Sequence, residues 1–231
     1  MTDAKEGGAD RATALFSSVG AVHHAGAADG VLGALLAIAA AQPQGRAGVR
    51  LHGVPDLTAL LSAGVIHGVA THYMGERARP VRALLFDKSP AANWSLAWHQ
   101  DRTVAVRARH DVPGYGPWTR KQGILHVEPP FAVIETMVTL RIHLDDVPDD
   151  NAPLLIAPGS HRLGRIAEPA IADVVARHGC RTCRARAGDI WAYATPILHA
   201  SAAATGARRR RVVQVDYAAD PLAAPLEWLG V

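Results

Sequence analysis

From residue 81 onward the chain is cut into short apolar or alternating runs by clusters of Pro, Gly, Asp and Asn. Pieces of that length cannot bury their apolar sides alone and do so by pairing into sheets. The runs are Val81–Asp87, Ser95–Asp101, Ile124–Val127, Ala132–Leu144, Ala152–Ala157, Arg181–Arg186, Ile190–Ala194, Leu198–Ser201 and Arg210–Tyr217. Between them stand KSPAAN, VPGYGPW, EPP, DDVPDDNAP, PGSHRLG, AGD and ATG. The texture before residue 81 differs. Ala27–Ala41, rich in Ala, Leu and Ile, predicts a helix stopped near Pro43. Asp56–Ala63 predicts a short helix, with Asp56 as N-cap after Pro55. Residues 1–10 read as a frayed tail, and Ala170–His178 as a helical insertion. The expected fold is mainly β: a double-stranded jelly roll with the helical N-terminal third packed on its outer face. A length of 231 residues suits one domain over 1–231, and 49% apolar residues suffice for its core.

Several function classes fall away. No stretch of about 18 apolar residues occurs, so no membrane span is expected. The opening MTDAKEGGAD lacks the basic-then-apolar order of a signal peptide, which predicts a cytoplasmic protein. The net charge is only +3, and the run Arg208–Arg211 has no interleaved aromatics, so no nucleic-acid partner is expected. Cys180 and Cys183 form a C-x-x-C pair without a second pair. In a strand, positions i and i+3 face opposite ways, which predicts two ordinary thiols.

The sharpest motif is Trp98-His99-Gln100-Asp101. In extended chain His99 and Asp101 project from one face and can occupy adjacent positions on one metal ion. His199, in the late strand Pro196-Ile197-Leu198-His199-Ala200-Ser201, is the candidate third ligand. Two His and one carboxylate on one face leave open positions, the donor set of non-haem Fe(II) oxygenases. Taken alone, the tetrapeptide reads sooner as a surface His beside an Asp.

The order of motifs carries more than any one of them. After H-x-D come Asn151-Ala152-Pro153-Leu154-Leu155-Ile156-Ala157-Pro158-Gly159-Ser160-His161, then Ala187-Gly188-Asp189, then His199-Ala200-Ser201, then an Arg cluster. This series, over residues 81–217, resembles the phytanoyl-CoA dioxygenase family of Fe(II)- and 2-oxoglutarate-dependent oxygenases. The resemblance implies His99, Asp101 and His199 as iron ligands. It implies Arg210, eleven residues past the distal His, as the partner of the distal carboxylate of 2-oxoglutarate, with Ser201 as a hydrogen-bonding neighbour. A guanidinium fork and an oriented hydroxyl suit a carboxylate. Strand alternation alone leaves Arg209 and Arg211 open as alternatives to Arg210. It also implies Fe(II), 2-oxoglutarate and O2 as the reagents, with succinate and CO2 released. Asp101 argues against the halogenase variant, which gives up the carboxylate position to halide.

The chain departs from the family pattern at three points. Ala204 stands where the family usually has Asn, and Ala152 where it has Gly. Arg141 stands where the family often has an aromatic residue beside the cosubstrate. Turned inward, Arg141 needs an anion such as a carboxylate of 2-oxoglutarate; turned outward, it pairs with Asp145 or Asp146. His126 and His143 lie in predicted strands that border the pocket and are candidate substrate contacts. Leu84 and Lys88 occupy a strand that lines the cosubstrate pocket in the family. Trp98, opposite His99, reads as core, and Ser160 as part of a turn rather than a nucleophile. Asp111–Trp118 reads as a mobile lid.

The function expected from the resemblance is hydroxylation of a C–H bond in a small-molecule substrate. The alternatives are a Zn2+-dependent hydrolase or isomerase on the same three ligands, and a non-catalytic jelly-roll binding module.

Overall fold

The structure is a computed structural model that describes the backbone of residues 3–231 and side chains from Asp10 onward. In chain order it runs α1 (Asp3–Val19), β1 (Ala21–His24), α2 (Leu32–Ala40), β2 (Gly48–Arg50), α3 (Pro55–Ser62), α4 (Gly64–Met74), β3 (Arg79–Lys88) and β4 (Leu96–His99). There follow β5 (Val104–Ala105), β6 (Trp118–Lys121), β7 (Ile124–Val127), α5 (Phe131–Glu135), β8 (Val138–His143) and β9 (Leu154–Ile156). The chain closes with α6 (Ile171–His178), β10 (Arg181–Cys183), β11 (Ile190–Ala194), β12 (His199–Ser201) and β13 (Arg210–Ala218).

Two sheets face each other. The larger has the order β1-β11-β8-β13-β3-β2 and the smaller β10-β9-β12-β4, with antiparallel pairing throughout. A third sheet, β5-β7-β6, closes one end. This is the expected jelly roll with an outer helical cover.

Alternation along the strands divides the residues of the large sheet. Leu85 of β3, Leu140 and Ile142 of β8, Ala192 of β11, and Val213, Val215 and Tyr217 of β13 point outward into one core with Leu35, Ile38, Leu57, Leu61, Ile66 and Ala70 of α2, α3 and α4. The Tyr217 hydroxyl donates to the carbonyl of Leu61 (2.7 Å), so its polar tip is satisfied inside that core. A strand set apolar on one face only commits the other face to the interior of the roll, and that face is polar. It carries Arg82 and Lys88 from β3, Thr139, Arg141 and His143 from β8, and Arg210, Gln214 and Asp216 from β13, all buried but Arg82, which is partly so.

Some local readings are corrected. Residues 3–10 open α1 rather than fray; residues 1–2 lie outside the described chain. In α3 Pro55 takes the first helical position, so Val54 is the cap residue and Asp56 lies inside the first turn. Ala132–Leu144 is not one strand: Pro130 starts the helical turn of α5, and the strand begins at Val138. The helix α4 went unassigned because Gly68, His67 and His72 dilute its apolar face. Asp111–Trp118 lies along the small end sheet: Gly116 N donates to Glu128 O (2.8 Å), and Val112, Tyr115 and Trp118 pack on its core. No helix of the described residues is long and apolar enough to cross a membrane.

Ala152 sits in the left-handed region at φ 51°, ψ 56°. A Cβ there is strained, and Gly removes the strain. Ala152→Gly is expected to raise stability by about 0.5–1 kcal/mol, while Leu140→Ala, which opens a cavity under the helices, lowers it by roughly 2–5 kcal/mol. Urea unfolding of both variants checks the pair.

Candidate metal centre and cation cradle

His99 ends β4 and His199 begins β12, and the two are directly opposed in the antiparallel register. Their rings stand 4.3 Å apart between centroids. Asp101 follows His99 by two residues on the same side, and donor atoms of the three lie within 4.8 Å of one another. The ring atom Nδ1 of His99 donates to Ala97 O (2.7 Å), and Nδ1 of His199 donates to Ile197 O (3.0 Å). A carbonyl only accepts, so each Nδ1 carries the proton and each Nε2 keeps a free lone pair toward the centre. Burial and then the neighbouring His99 push His199 down to about 4, so its imidazole is neutral at neutral pH. Two imidazole lone pairs and one carboxylate fit a divalent cation of the Fe(II) type. The thiols take no part: Cys183 is buried and Cys180 exposed.

The segment carrying the ligands is held from behind. Gln100, between His99 and Asp101, points the other way and is buried. Its Nε2 donates to Gly164 O (3.0 Å) and Pro196 O (2.7 Å), and its Oε1 accepts from Ile166 N (2.8 Å). One side chain thus ties the His99–Asp101 segment to the segment entering His199. The Ser160 hydroxyl accepts from Leu198 N (2.9 Å), which fixes the residue before His199 and fits its expected structural role. Trp98 packs on Ala157, Ile166, Val174 and Leu198.

Arg82 reaches the carboxylate of Asp101 (Nη2 to Oδ2, 3.6 Å) and is itself held by Asp216 through its Nε. Thr139 donates to Asp216 Oδ1 (3.0 Å), and Thr195 supplies the proton accepted by Thr139 (2.9 Å). Burial acts to raise Asp101, but Arg82, then His199 and His99, hold its carboxyl below the usual range. The sequence reading missed Arg82, Asp216 and Gln100. Only the strand register shows Arg82 opposite Asp216.

Farther along the same interior face lies a group of cations. Arg210 is opposite Lys88 in the register and only 2% exposed. Its Nη1 donates to Ala152 O, while its buried Nε has no partner. Lys88, 1% exposed, donates to Ser201 Oγ (3.1 Å) and Ala202 O (2.6 Å) and stands 5.0 Å over the Trp94 ring. Arg141 points inward, donating to Gln214 Oε1 (3.1 Å) with its guanidinium 5.3 Å from the Phe86 ring. Leu84, on the same strand as Lys88, is also buried. No acidic side chain pairs with Lys88, Arg141 or Arg210 among the described residues. The other three arginines of the run are all paired: Arg208 with Asp150, Arg209 with Asp87, Arg211 with Asp145. Burial, then Arg210 and Arg141, press Lys88 down to about 7; burial and Arg141 press Arg210 to about 9.

His143 lies between these cations with both ring nitrogens buried and unpartnered, and burial holds it well below the usual value. His126 is separate from the cradle. Its Nδ1 meets Ile124 O (3.0 Å), its Nε2 is buried without a partner, and it lines a crevice shared with Arg82.

The family model for phytanoyl-CoA dioxygenase (PhyH) matches residues 62–212. No curated protein matches the chain. Among solved structures, the epimerase SnoN from nogalamycin biosynthesis is similar at TM-score 0.66 and 18% identity, over 92% of this chain and 83% of that one. EctD from S. alaskensis is similar at TM-score 0.67 and 19% identity, over 96% and 80%. HygX from Streptomyces hygroscopicus, crystallised with nickel and 2-oxoglutarate, is similar at TM-score 0.62 and 12% identity, over 90% and 86%.

Two outcomes are expected. Raising pH from about 7 to 10 relieves Lys88 of a proton that the unfolded chain keeps, so the metal-free protein gains thermal stability over that window; Lys88→Met flattens the rise. Arg82→Ala leaves Asp216 buried and unpaired and is expected to cost about 3–5 kcal/mol, measured by denaturant unfolding. The match over residues 62–212, together with this site, makes the chain a member of the phytanoyl-CoA dioxygenase family of Fe(II)- and 2-oxoglutarate-dependent enzymes.

Proposed function

We propose that the chain is an Fe(II)- and 2-oxoglutarate-dependent dioxygenase that hydroxylates a C–H bond of a small molecule. The observation that carries this reading is the pairing of two features in one roll. A His–Asp–His cluster stands at one level, and a buried set of cations without acidic partners stands beside it. Buried guanidinium groups lacking a counter-charge are costly and call for a bound anion.

In this reading His99 and His199 bind the metal through Nε2 and Asp101 through a carboxylate oxygen. Arg210 takes the distal carboxylate of 2-oxoglutarate, with Ser201 and Lys88 beside it, and Arg141 neutralises charge nearer the metal. When bound there, iron with 2-oxoglutarate and O2 supplies the oxidation: the keto acid leaves as succinate and CO2, one oxygen atom entering succinate and the other the substrate. The protein's own part is to hold the ligands on a rigid sheet and to keep water from the interior. A hydrolytic zinc site has no use for the cation cradle. SnoN ends related chemistry in epimerisation; a product heavier by one oxygen atom marks hydroxylation, and an unchanged mass marks epimerisation.

Anaerobic addition of Fe(II) and then 2-oxoglutarate is expected to give a visible charge-transfer band; a protein that binds iron but gives no band overturns the reading. Arg210→Ala is expected to weaken 2-oxoglutarate by about thirtyfold or more, since the unpaired carboxylate costs roughly 2–5 kcal/mol. Arg210→Lys recovers part of this, Ser201→Ala loses less, and Arg208→Ala, on an exposed pair, changes little.

A further inference from the structure

One polar side chain among the buried cations has no part in the arrangement proposed for 2-oxoglutarate. His143 faces into the roll from β8 and is only 1% exposed, and neither of its ring nitrogens has a partner. Its own row across the sheet is apolar. Val212 of β13 stands opposite His143, and Phe86 of β3 stands opposite Val212. The rows on either side are cationic. Arg141 lies two residues from His143 on β8, and Arg210, opposite Lys88, lies two residues from Val212 on β13, each a step of about 7 Å along its strand.

The acceptors around this row are already spent. Asp189 leads into β11 and pairs with His143 through the backbone (His143 N to Asp189 O, 2.9 Å). Its carboxylate, however, accepts from Gly26 N (2.8 Å), Arg186 N (2.7 Å) and His23 Nε2 (2.8 Å). Gln214 Oε1 accepts from Arg141 Nη1 (3.1 Å) and from the Tyr193 hydroxyl (3.3 Å). A proton on His143 would add a third like charge between two guanidinium groups, and burial, then Arg141 and Arg210, hold the ring well below its usual value. The imidazole is therefore neutral. It carries one N–H, and a buried N–H calls for an acceptor that these side chains do not offer.

We propose that His143 binds the cosubstrate rather than the substrate, donating its ring N–H to the distal carboxylate of 2-oxoglutarate that Arg210 receives. The proposal rests on the oxygenase reading for the identity of the anion, and on the inward row of β8 for the donor. Arg210 Nε is likewise buried without a partner. A carboxylate has two oxygens and about four lone-pair sites, so one group answers both donors. Neutrality gives His143 a use that a fourth cation lacks. It adds a hydrogen bond to the bound anion without adding repulsion among Lys88, Arg141 and Arg210 in the empty cradle.

The test uses the full chain labelled with 15N in its histidine rings, with Zn2+ added as a diamagnetic metal. The probes are 2-oxoglutarate and 2-oxopentanoate, which keeps the keto acid but lacks the distal carboxylate. The His143 signals are assigned by their loss in His143→Leu or, should that variant not fold, in His143→Gln. The expected result is a saturable shift of these signals with 2-oxoglutarate and none with 2-oxopentanoate. Unmoved signals, or equal shifts with both keto acids, overturn the proposal. Affinity is then read from the anaerobic charge-transfer band with Fe(II). His143→Leu is expected to weaken 2-oxoglutarate about tenfold, His143→Gln to recover most of the loss, and kcat at saturating 2-oxoglutarate to change little. Unchanged affinity in His143→Leu, or an equal loss in both variants, overturns the proposal. A His143 shift in a protein that gives no charge-transfer band keeps the anion site and overturns the oxygenase reading; a band with unmoved His143 signals does the reverse.

Discussion

Charge buried between two sheets must be cancelled nearby or wait for a ligand, and the inward face of β13 shows both outcomes on one strand. At one end Asp216 meets Arg82, which passes its second side to Asp101. Six residues earlier Arg210 meets only Lys88 across the sheet and a backbone carbonyl. The strand thus runs from a neutralised end to an unneutralised one. The His99–Asp101–His199 cluster stands against the neutralised end, where Arg82 fixes the Asp101 carboxylate. The cradle stands at the other, where Lys88, Arg141 and Arg210 have no acidic partner among the described residues.

The outer face makes this possible. Leu140, Ile142, Val213 and Val215 bury against α2, α3 and α4, so folding does not depend on the interior of the roll being apolar. The helices were legible as helices from composition, but their role was not: covering a sheet whose other face is spent on function.

The clustering of His99, Asp101 and His199 was legible because its cue is local for two members and ordered in sequence for the third. The register within Arg208–Arg211 was not legible from alternation, because both alternate sets of β13 are buried. What separates them is the partners: Asp87, Asp145 and Asp150 lie far away in the chain and claim three of the four arginines. Arg141 likewise had two readings until the pairing of Arg211 with Asp145 left it facing Gln214 and Phe86. Arg82 gave no motif at all, since its meaning lies only in what stands opposite. The helical turn at Phe131–Glu135 was lost because its apolar residues continue the pattern of the following strand.

The strand β4 is at the edge of the smaller sheet and pairs only with β12, through His199↔His99 and Ser201↔Leu96, with a register shift between. Edge pairs of this length open far more often than the protein unfolds. Two of the three clustered residues therefore sit on or just past a short edge strand, while the third belongs to a strand paired on both sides. Release of an ion held there is then expected to follow sub-global opening of β4, visible in amide hydrogen exchange, rather than global unfolding. Stronger packing behind Gln100 is then expected to slow that release without altering His99, Asp101 or His199.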